Sequence, residues 1–223
     1  MNQYEPEKFL RKFVSLQVEK EKQLDNTNLE NKADIGYSRQ LDLKEKFNRY
    51  WNQALKTNGE DYLTRLTTED LVEMKKTISN INNLITLKVT IGFIDEICRL
   101  GIVNNEQAER MRKEVDEQHP NTNGFDVQDK ECRIIAEIKC NIPVGEKSFG
   151  AAQKNALKKD LQGLRNGKTK GDIDNVDNYY KFMVIQDVSN ARLAMKELYG
   201  NDCVELVDKN IDTDHIYIVY IKF

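Results

Sequence analysis

The fold is decided by the segment NGFDVQDKECRIIAEIKC, residues 123–140. Two runs rich in β-branched and aromatic residues, 125–128 and 132–140, flank a polar tip and predict a β-hairpin. With a two-residue loop at 130–131, Asp126 would lie opposite Ile135. Because strand side chains alternate between faces, Asp126, Glu137 and Lys139 are then expected on one face of the hairpin.

Two carboxylates and an ammonium on one strand face call for a chemical explanation, because buried acids are costly unless they are paired or bound to a metal. Asp126 and Glu137 offer hard oxygen ligands suited to Mg²⁺ or Mn²⁺. Lys139 beside them would orient a water or balance the charge of a phosphate. A metal held in this way polarises a phosphoryl oxygen and lowers the pKa of bound water, as phosphodiester hydrolysis needs. The same residues also fit a solvated hairpin with three charges on its wet side.

The run FDV, a short hairpin and the run IIAEIK resemble the PD-(D/E)XK nuclease superfamily, which includes many type II restriction endonucleases and DNA-repair nucleases. The family pattern is an Asp near the start of one strand and Glu-x-Lys at the end of the next, followed by a helix. Asp126, Glu137 and Lys139 match these positions. Phe125 replaces the Pro that precedes the family's Asp. The resemblance covers roughly residues 105–187 and is limited to the catalytic core.

The resemblance implies a Mg²⁺ site, with Mn²⁺ as a possible substitute. Asp126, Glu137 and the main-chain carbonyl of Ile138 would hold the metal. Lys139 would position or help deprotonate the attacking water and would counter charge on the scissile phosphate.

Two helices that flank the hairpin supply further candidates. Some members of the superfamily take another acidic metal ligand from the helix before the hairpin, where Glu114 is the candidate. A Gln or Lys on the helix after the Glu-x-Lys strand often faces the active site, and Gln153 and Lys154 match that place. A solvated helix face is the alternative for each of these side chains.

Positive charge is concentrated directly after the hairpin, although the whole chain carries a net charge of -3. Over residues 139–170 eight bases face only two acids, Glu146 and Asp160. A phosphodiester backbone is attracted to such a patch through counterion release and phosphate contacts. The candidate DNA contacts are Lys147, Lys154 and Lys158, with Arg39 in a polar segment near the N-terminus.

Composition excludes several other classes of protein. The four cysteines show no Cys-x-x-Cys spacing and the chain has two histidines, which argues against structural zinc and favours free thiols. The first eight residues are polar and acidic, unlike a secretory signal. The most apolar region, 81–103, is interrupted by charges and is not expected to span a membrane. We therefore expect a cytoplasmic protein.

The order of elements predicts a mixed α/β (α+β) fold. The N-terminal region, 1–103, is expected to be helical, with helices over 41–56, from 68 onward and over 81–100, and to serve dimerisation or target recognition. The core, 104–223, is expected in the order helix, strand, strand, helix, strand, helix, strand. This order predicts a central mixed β-sheet flanked by helices, as in the restriction-endonuclease-like core.

Together these observations predict a metal-dependent DNA endonuclease, most simply a type II restriction or related defence enzyme. Its substrate would be double-stranded DNA, and a homodimer would suit a palindromic site. A repair or junction-resolving nuclease fits the same residues. A nucleic-acid-binding or interaction module that keeps the fold without hydrolysis is the alternative from another class. A helical scaffold with an accidental motif would instead leave Asp126 and Glu137 far apart.

Overall fold

The structure is a computed structural model that describes residues 38–117, 124–168, 173 and 175–223, and for residues 38–40 it describes the main chain only. The chain divides into two units between Thr67 and Thr68. In the first unit, helix α1 spans Ser38–Leu55 and a short 3-10 helix spans Leu63–Arg65. Asn52 stabilises the connection between these two helices, because its Nδ2 donates a hydrogen bond to the carbonyl of Glu60 at 2.8 Å. The helix predicted over 41–56 is confirmed.

The second unit holds the remaining elements of the described chain. In chain order these are α2 (Thr68–Arg99), α3 (Asn105–Glu117), β1 (Val127–Asp129), β2 (Ile134–Lys139), α4 (Ala151–Asn166), a 3-10 helix (Val176–Asn178), β3 (Tyr180–Gln186), α5 (Ala191–Tyr199), β4 (Val204–Glu205) and β5 (Ile216–Ile221). The predicted order from α3 onward is confirmed, with the short strand β4 in addition. The predicted division between residues 103 and 104 stays a prediction.

The five strands form one mixed sheet in the order β1-β2-β3-β5-β4. Strand β1 pairs antiparallel with β2, and the other neighbours are parallel. The expectation of a mixed sheet flanked by helices is confirmed. Among the described residues, no helix combines the length and the apolar character needed to cross a membrane.

Strand alternation gives the sheet two buried faces, each covered by two helices. The first face carries Ile134, Phe182 and Val219 and packs against apolar residues of α2 and α3. The second face carries Ile135, Met183 and Ile218 and packs against apolar residues of α4 and α5. Both faces are apolar at their centres, so a charged group on either face requires a partner.

Helix α2 is a single helix of 32 residues, whereas the sequence predicted two helices meeting near residue 80. Acidic Glu69 and Asp70 lie in its first turn and Arg99 in its last, as the helix dipole favours. Its second half is buried at Val89, Phe93 and Ile97, three positions spaced four residues apart. This packing against the first face of the sheet outweighs the strand propensity of the β-branched residues Val89, Thr90 and Ile91.

The hairpin is confirmed, but its predicted register is wrong by two residues. Asp129 lies opposite Ile134, so the loop has four residues instead of two. The side chain of Asp129 stabilises this loop by accepting a hydrogen bond from the Cys132 N–H at 2.7 Å. Because side chains alternate with a period of two, a shift of two residues preserves the face of every side chain. Asp126 therefore comes to lie beside Glu137 instead of Ile135.

Candidate functional site

Asp126 and the end of β2 form the centre of the candidate site. Asp126 immediately precedes β1, and its Oδ2 accepts a hydrogen bond from the main-chain N–H of Ile138 at 2.8 Å. Glu137 and Lys139 alternate with Ile138 and so share the second face of the sheet with Ile135. The structure thus brings together the three residues that the sequence singled out.

Lys139 lies among three carboxylates. Its Nζ is 3.0 Å from Glu137 Oε2, 3.0 Å from Asp160 Oδ2 and 3.5 Å from Asp126 Oδ2. Burial by itself lowers the pKa of this lysine, but the charges of Asp126, Glu137 and Asp160 outweigh burial and raise the pKa above its ordinary value. Lys139 is therefore protonated at neutral pH.

Glu137 is the most buried member of the group, with a side chain that is 1% exposed. Burial raises the pKa of its carboxyl group, and the nearby charge of Asp126 acts in the same direction. Lys139 and Lys168 oppose this rise. The ammonium of Lys168 forms an ion pair with Oε1, so both carboxylate oxygens of Glu137 face a cation.

Lys168 follows α4 directly after Gly167, whose backbone has a positive φ of 84° that suits glycine. Its Nζ donates to the main-chain carbonyl of Gly124 at 2.8 Å and lies 5.2 Å from the centroid of the Phe125 ring. A Cβ atom at Gly163 would lie only 3.2 Å from Lys168 Cε. The absence of a side chain at Gly163 therefore allows the aliphatic part of Lys168 to pack against α4.

Asp160 and Lys168 are the members of the site that the sequence did not predict. Asp160 lies on α4 beside the buried residues Leu157, Leu161 and Leu164. An acid among three leucines at helical spacing is the signal that would have found it. No comparable pattern marks Lys168, because its position depends on how the chain leaves α4.

We call Asp126, Glu137, Lys139, Asp160 and Lys168 the charge cluster. Its three carboxylates and two ammonium groups leave one net negative charge when all are ionised. Across the described ranges, no group of three or more His, Cys, Asp or Glu side chains is arranged to hold a metal ion by itself. Any cation bound here would take its ligands from the two hairpin carboxylates, main-chain oxygen and water.

Glu114 and Gln153 make other contacts. Glu114 is 3.6 Å from Arg110 on α3, and Arg110 also pairs with Asp129, which lies on the first face of the sheet. Gln153 lies in the first turn of α4, where its Oε1 accepts a hydrogen bond from the Gly150 N–H at 3.2 Å. In the part of the chain that the structure describes, neither side chain contacts the charge cluster.

The candidate DNA contacts lie on and before α4. Lys147 and Lys158 are exposed, and Lys154 is partly buried. The side chain of Arg39 lies outside the described residues. The first turns of α4 thus present lysines to solvent on the element that also carries Asp160.

Comparisons with protein-family models, with curated proteins and with solved structures give no match to this chain.

Proposed function

We propose that the protein is a metal-dependent DNA endonuclease of the PD-(D/E)XK type. One observation carries the proposal: Asp126, Glu137 and Lys139 meet on one sheet face, with Lys139 Nζ within 3.5 Å of both carboxylates. These residue types in this arrangement suit phosphodiester hydrolysis. An accidental match of the motif would give no reason for the acid before β1 to lie beside the acid of β2.

The residues present fit a Mg²⁺ or Mn²⁺ ion. Mg²⁺ is commonly bound through one or two carboxylates together with waters and substrate phosphates, and Asp126 and Glu137 supply two. The N–H of Ile138 points to Asp126, and in a strand the carbonyl of a residue points the same way as its N–H. The Ile138 oxygen therefore faces the same edge. The ion would supply Lewis-acid polarisation of the phosphoryl oxygen and a water of lowered pKa.

Lys139 acts in this proposal as a charged hydrogen-bond donor. Burial lowers the pKa of Lys139, but the charges of its three carboxylate neighbours outweigh burial and raise the pKa, which favours the protonated form. A protonated lysine beside the two hairpin carboxylates can orient the attacking water and stabilise negative charge that develops on the phosphate. Asp160 positions this ammonium from the side of α4, at 3.0 Å.

Binding of the substrate is assigned to three lysines on and before α4, of which Lys147 and Lys158 are exposed and Lys154 is partly buried. Lys147, Lys154 and Lys158 would contact the phosphate backbone, which attracts cations regardless of base sequence. We further propose double-stranded DNA as the substrate, a homodimer as the assembly and the cytoplasm as the location. A type II restriction or related defence role, or a repair or junction-resolving role, suits this chemistry.

A non-catalytic module that binds nucleic acid or protein is the second candidate, and one observation favours it. Each hairpin acid already faces an ammonium, and Glu137 faces two. Buried ion pairs of this kind also occur as purely structural features. This alternative predicts that DNA binding, where present, is indifferent to divalent cations.

The test is cleavage of a mixed-sequence plasmid by the full chain with Mg²⁺ or Mn²⁺. We expect Glu137→Gln and Lys139→Ala to reduce the cleavage rate by about 100- to 1,000-fold, the effect of removing one preorganised group that stabilises charge. Glu197→Ala and Lys196→Ala are matched controls, because both residues are exposed on α5. Thermal unfolding of each variant separates loss of chemistry from loss of fold.

Discrete fragments that disappear in both site variants but not in the controls would support a sequence-specific endonuclease. Cleavage of branched DNA alone would support a junction-resolving enzyme. No cleavage of plasmid, single-stranded or branched DNA with either metal would overturn the proposal in favour of the binding module.

A further inference from the structure

Lys168 contacts Glu137, which the function proposed above assigns to the metal, so the role of Lys168 rests on that function. Its ammonium pairs with Glu137 Oε1, while Lys139 lies 3.0 Å from Oε2. A divalent cation bound to Glu137 needs one of these oxygens at about 2.1 Å. An ammonium within hydrogen-bonding distance of the same oxygen would then repel the ion. At least one of the two lysines has to leave before the metal can bind.

The two lysines are held very differently. Lys139 extends from the middle of the sheet, faces three carboxylates and has a side chain that is 17% exposed. Lys168 extends from the connection after α4 and has a side chain that is 26% exposed. Glu137 is its one carboxylate partner among the described residues, and its other contacts are a neutral carbonyl and an aromatic ring. Lys168 is therefore the lysine that leaves at the lower cost.

We propose that Lys168 is a positioning residue that holds Glu137 in place of a metal and is displaced when a divalent cation binds. It neutralises a buried carboxylate that would otherwise be costly to keep charged. It also competes with the metal for the same oxygen. Metal binding to Glu137 and the ion pair with Lys168 are mutually exclusive, so the lysine weakens the affinity for the cation.

Neighbouring residues leave a defined space for the Lys168 side chain. The Cε and Cγ atoms of Lys168 lie 3.2 and 3.3 Å from the point where a Gly163 side chain would begin. Phe125 lies 5.2 Å from the ammonium on another side. An alanine at position 163 would crowd the Lys168 stem, which would have to shift by a few tenths of an ångström. Gly163→Ala is therefore a second, milder change that loosens the ion pair with Glu137 without removing the charge of Lys168.

The test is direct Mn²⁺ binding by the full chain at about pH 8, without DNA, measured by calorimetry or by the electron-spin resonance of free Mn²⁺. We expect Lys168→Met to bind Mn²⁺ about 10-fold more tightly than the wild type, the scale on which groups that contact metal ligands change affinity. Lys168→Arg should restore the wild-type affinity because it keeps the charge. Lys159→Met is the matched control, because Lys159 is exposed on α4. Glu137→Gln should abolish binding.

A purely structural role for Lys168 gives a different result, since loss of its support would leave Mn²⁺ affinity unchanged or weaker. We also expect Gly163→Ala to bind Mn²⁺ more tightly than the wild type. This variant replaces Lys168→Met in the test if Lys168→Met does not fold. If Lys168→Met and Gly163→Ala bind Mn²⁺ with the same affinity as the wild type, and Glu137→Gln does not bind it, the role of Lys168 is contradicted. The proposed function would not be affected by that result. No Mn²⁺ binding by any of them would overturn the proposed function with it. Tighter binding without DNA cleavage would support the inference and contradict the nuclease.

Discussion

Lys181 is a second lysine that the sheet buries on its second face, away from the charge cluster. It is 4% exposed, and its ammonium donates to the main-chain carbonyl of Thr213. It lines a cavity of about 230 Å³ together with Asp177 and Asp214. Burial lowers the pKa of Lys181, and the nearby carboxylates only partly compensate. The pKa shifts of the two lysines thus differ in sign. Lys139 has three carboxylates within 3.5 Å, whereas the close partner of Lys181 is a main-chain carbonyl.

This lowered pKa predicts how stability depends on pH. Between the folded-state pKa of Lys181 and its ordinary value of 10.5, the unfolded chain binds more protons than the folded chain. The free energy of unfolding contributed by this group therefore rises with pH. We expect the stability of the wild type relative to Lys181→Met to increase as the pH rises toward 10.5, measured by denaturant unfolding. The exposed Lys196→Met should show no such trend, and a flat difference for Lys181→Met would contradict the expectation.

At the residue scale the sequence predicted the part of the site that a single hairpin determines. Asp126, Glu137 and Lys139 share a face because strand side chains alternate, and the two-residue difference between the predicted and the observed register leaves every side chain on its face. Asp160 and Lys168 were missed because they reach Lys139 and Glu137 only through the packing of α4 on the sheet. That packing depends on contacts far apart in the chain, which local periodicity does not encode.

At the scale of elements, helix α2 and strand β5 approach each other at Gly92. A Cβ atom at this position would lie 2.5 Å from Ile221 Cγ2. Ile221 is buried, and β-branched side chains have little freedom to rotate away. The glycine is therefore required by the close contact between helix and sheet, although glycine weakens a helix interior by about 1 kcal/mol.

We expect Gly92→Ala to lower the free energy of unfolding by about 1–2 kcal/mol, because overpacking a core outweighs the gain in helix propensity. Ile221→Ala should relieve the clash, so the double variant should be less destabilised than the sum of the two single changes. Chemical unfolding of the four proteins measures this coupling. A stabilising effect of Gly92→Ala alone would contradict the close packing of α2 on β5.

Two elements differ from their predictions for physical reasons. The hairpin loop is longer by two residues because Asp129 accepts the Cys132 N–H and Arg133 adopts a positive φ of 53°, neither of which has a strong local signature. Helix α2 continues without interruption from Thr68 to Arg99, where the sequence predicted one helix from 68 onward and another over 81–100. Burial of Val89, Phe93 and Ile97 on the sheet stabilises the single helix beyond what local propensity indicates.

At the scale of the whole molecule, the mixed sheet flanked by helices was predictable from the order of elements and their hydrophobic patterns. The position of β5 between β3 and β4 was not, because a two-residue strand such as β4 carries no pattern. The sheet order matters for the site, since it leaves β1 at an edge and places α4 over the end of β2. Lys154 and Lys158 lie on α4, the helix that also contributes Asp160 to the charge cluster, in a chain whose net charge is -3.

This arrangement predicts that DNA binding depends on a local patch and not on total charge. Alanine at Lys147, Lys154 and Lys158 together should weaken binding to a double-stranded oligonucleotide in the Glu137→Gln background without metal. The slope of log affinity against log salt should fall by about 0.9 for each lost phosphate contact, so by up to about 2.7. The control triple, with the same change in net charge, replaces Lys196, Lys209 and Lys222. Equal weakening by both triples, or no change in slope, would mean that α4 does not contact DNA.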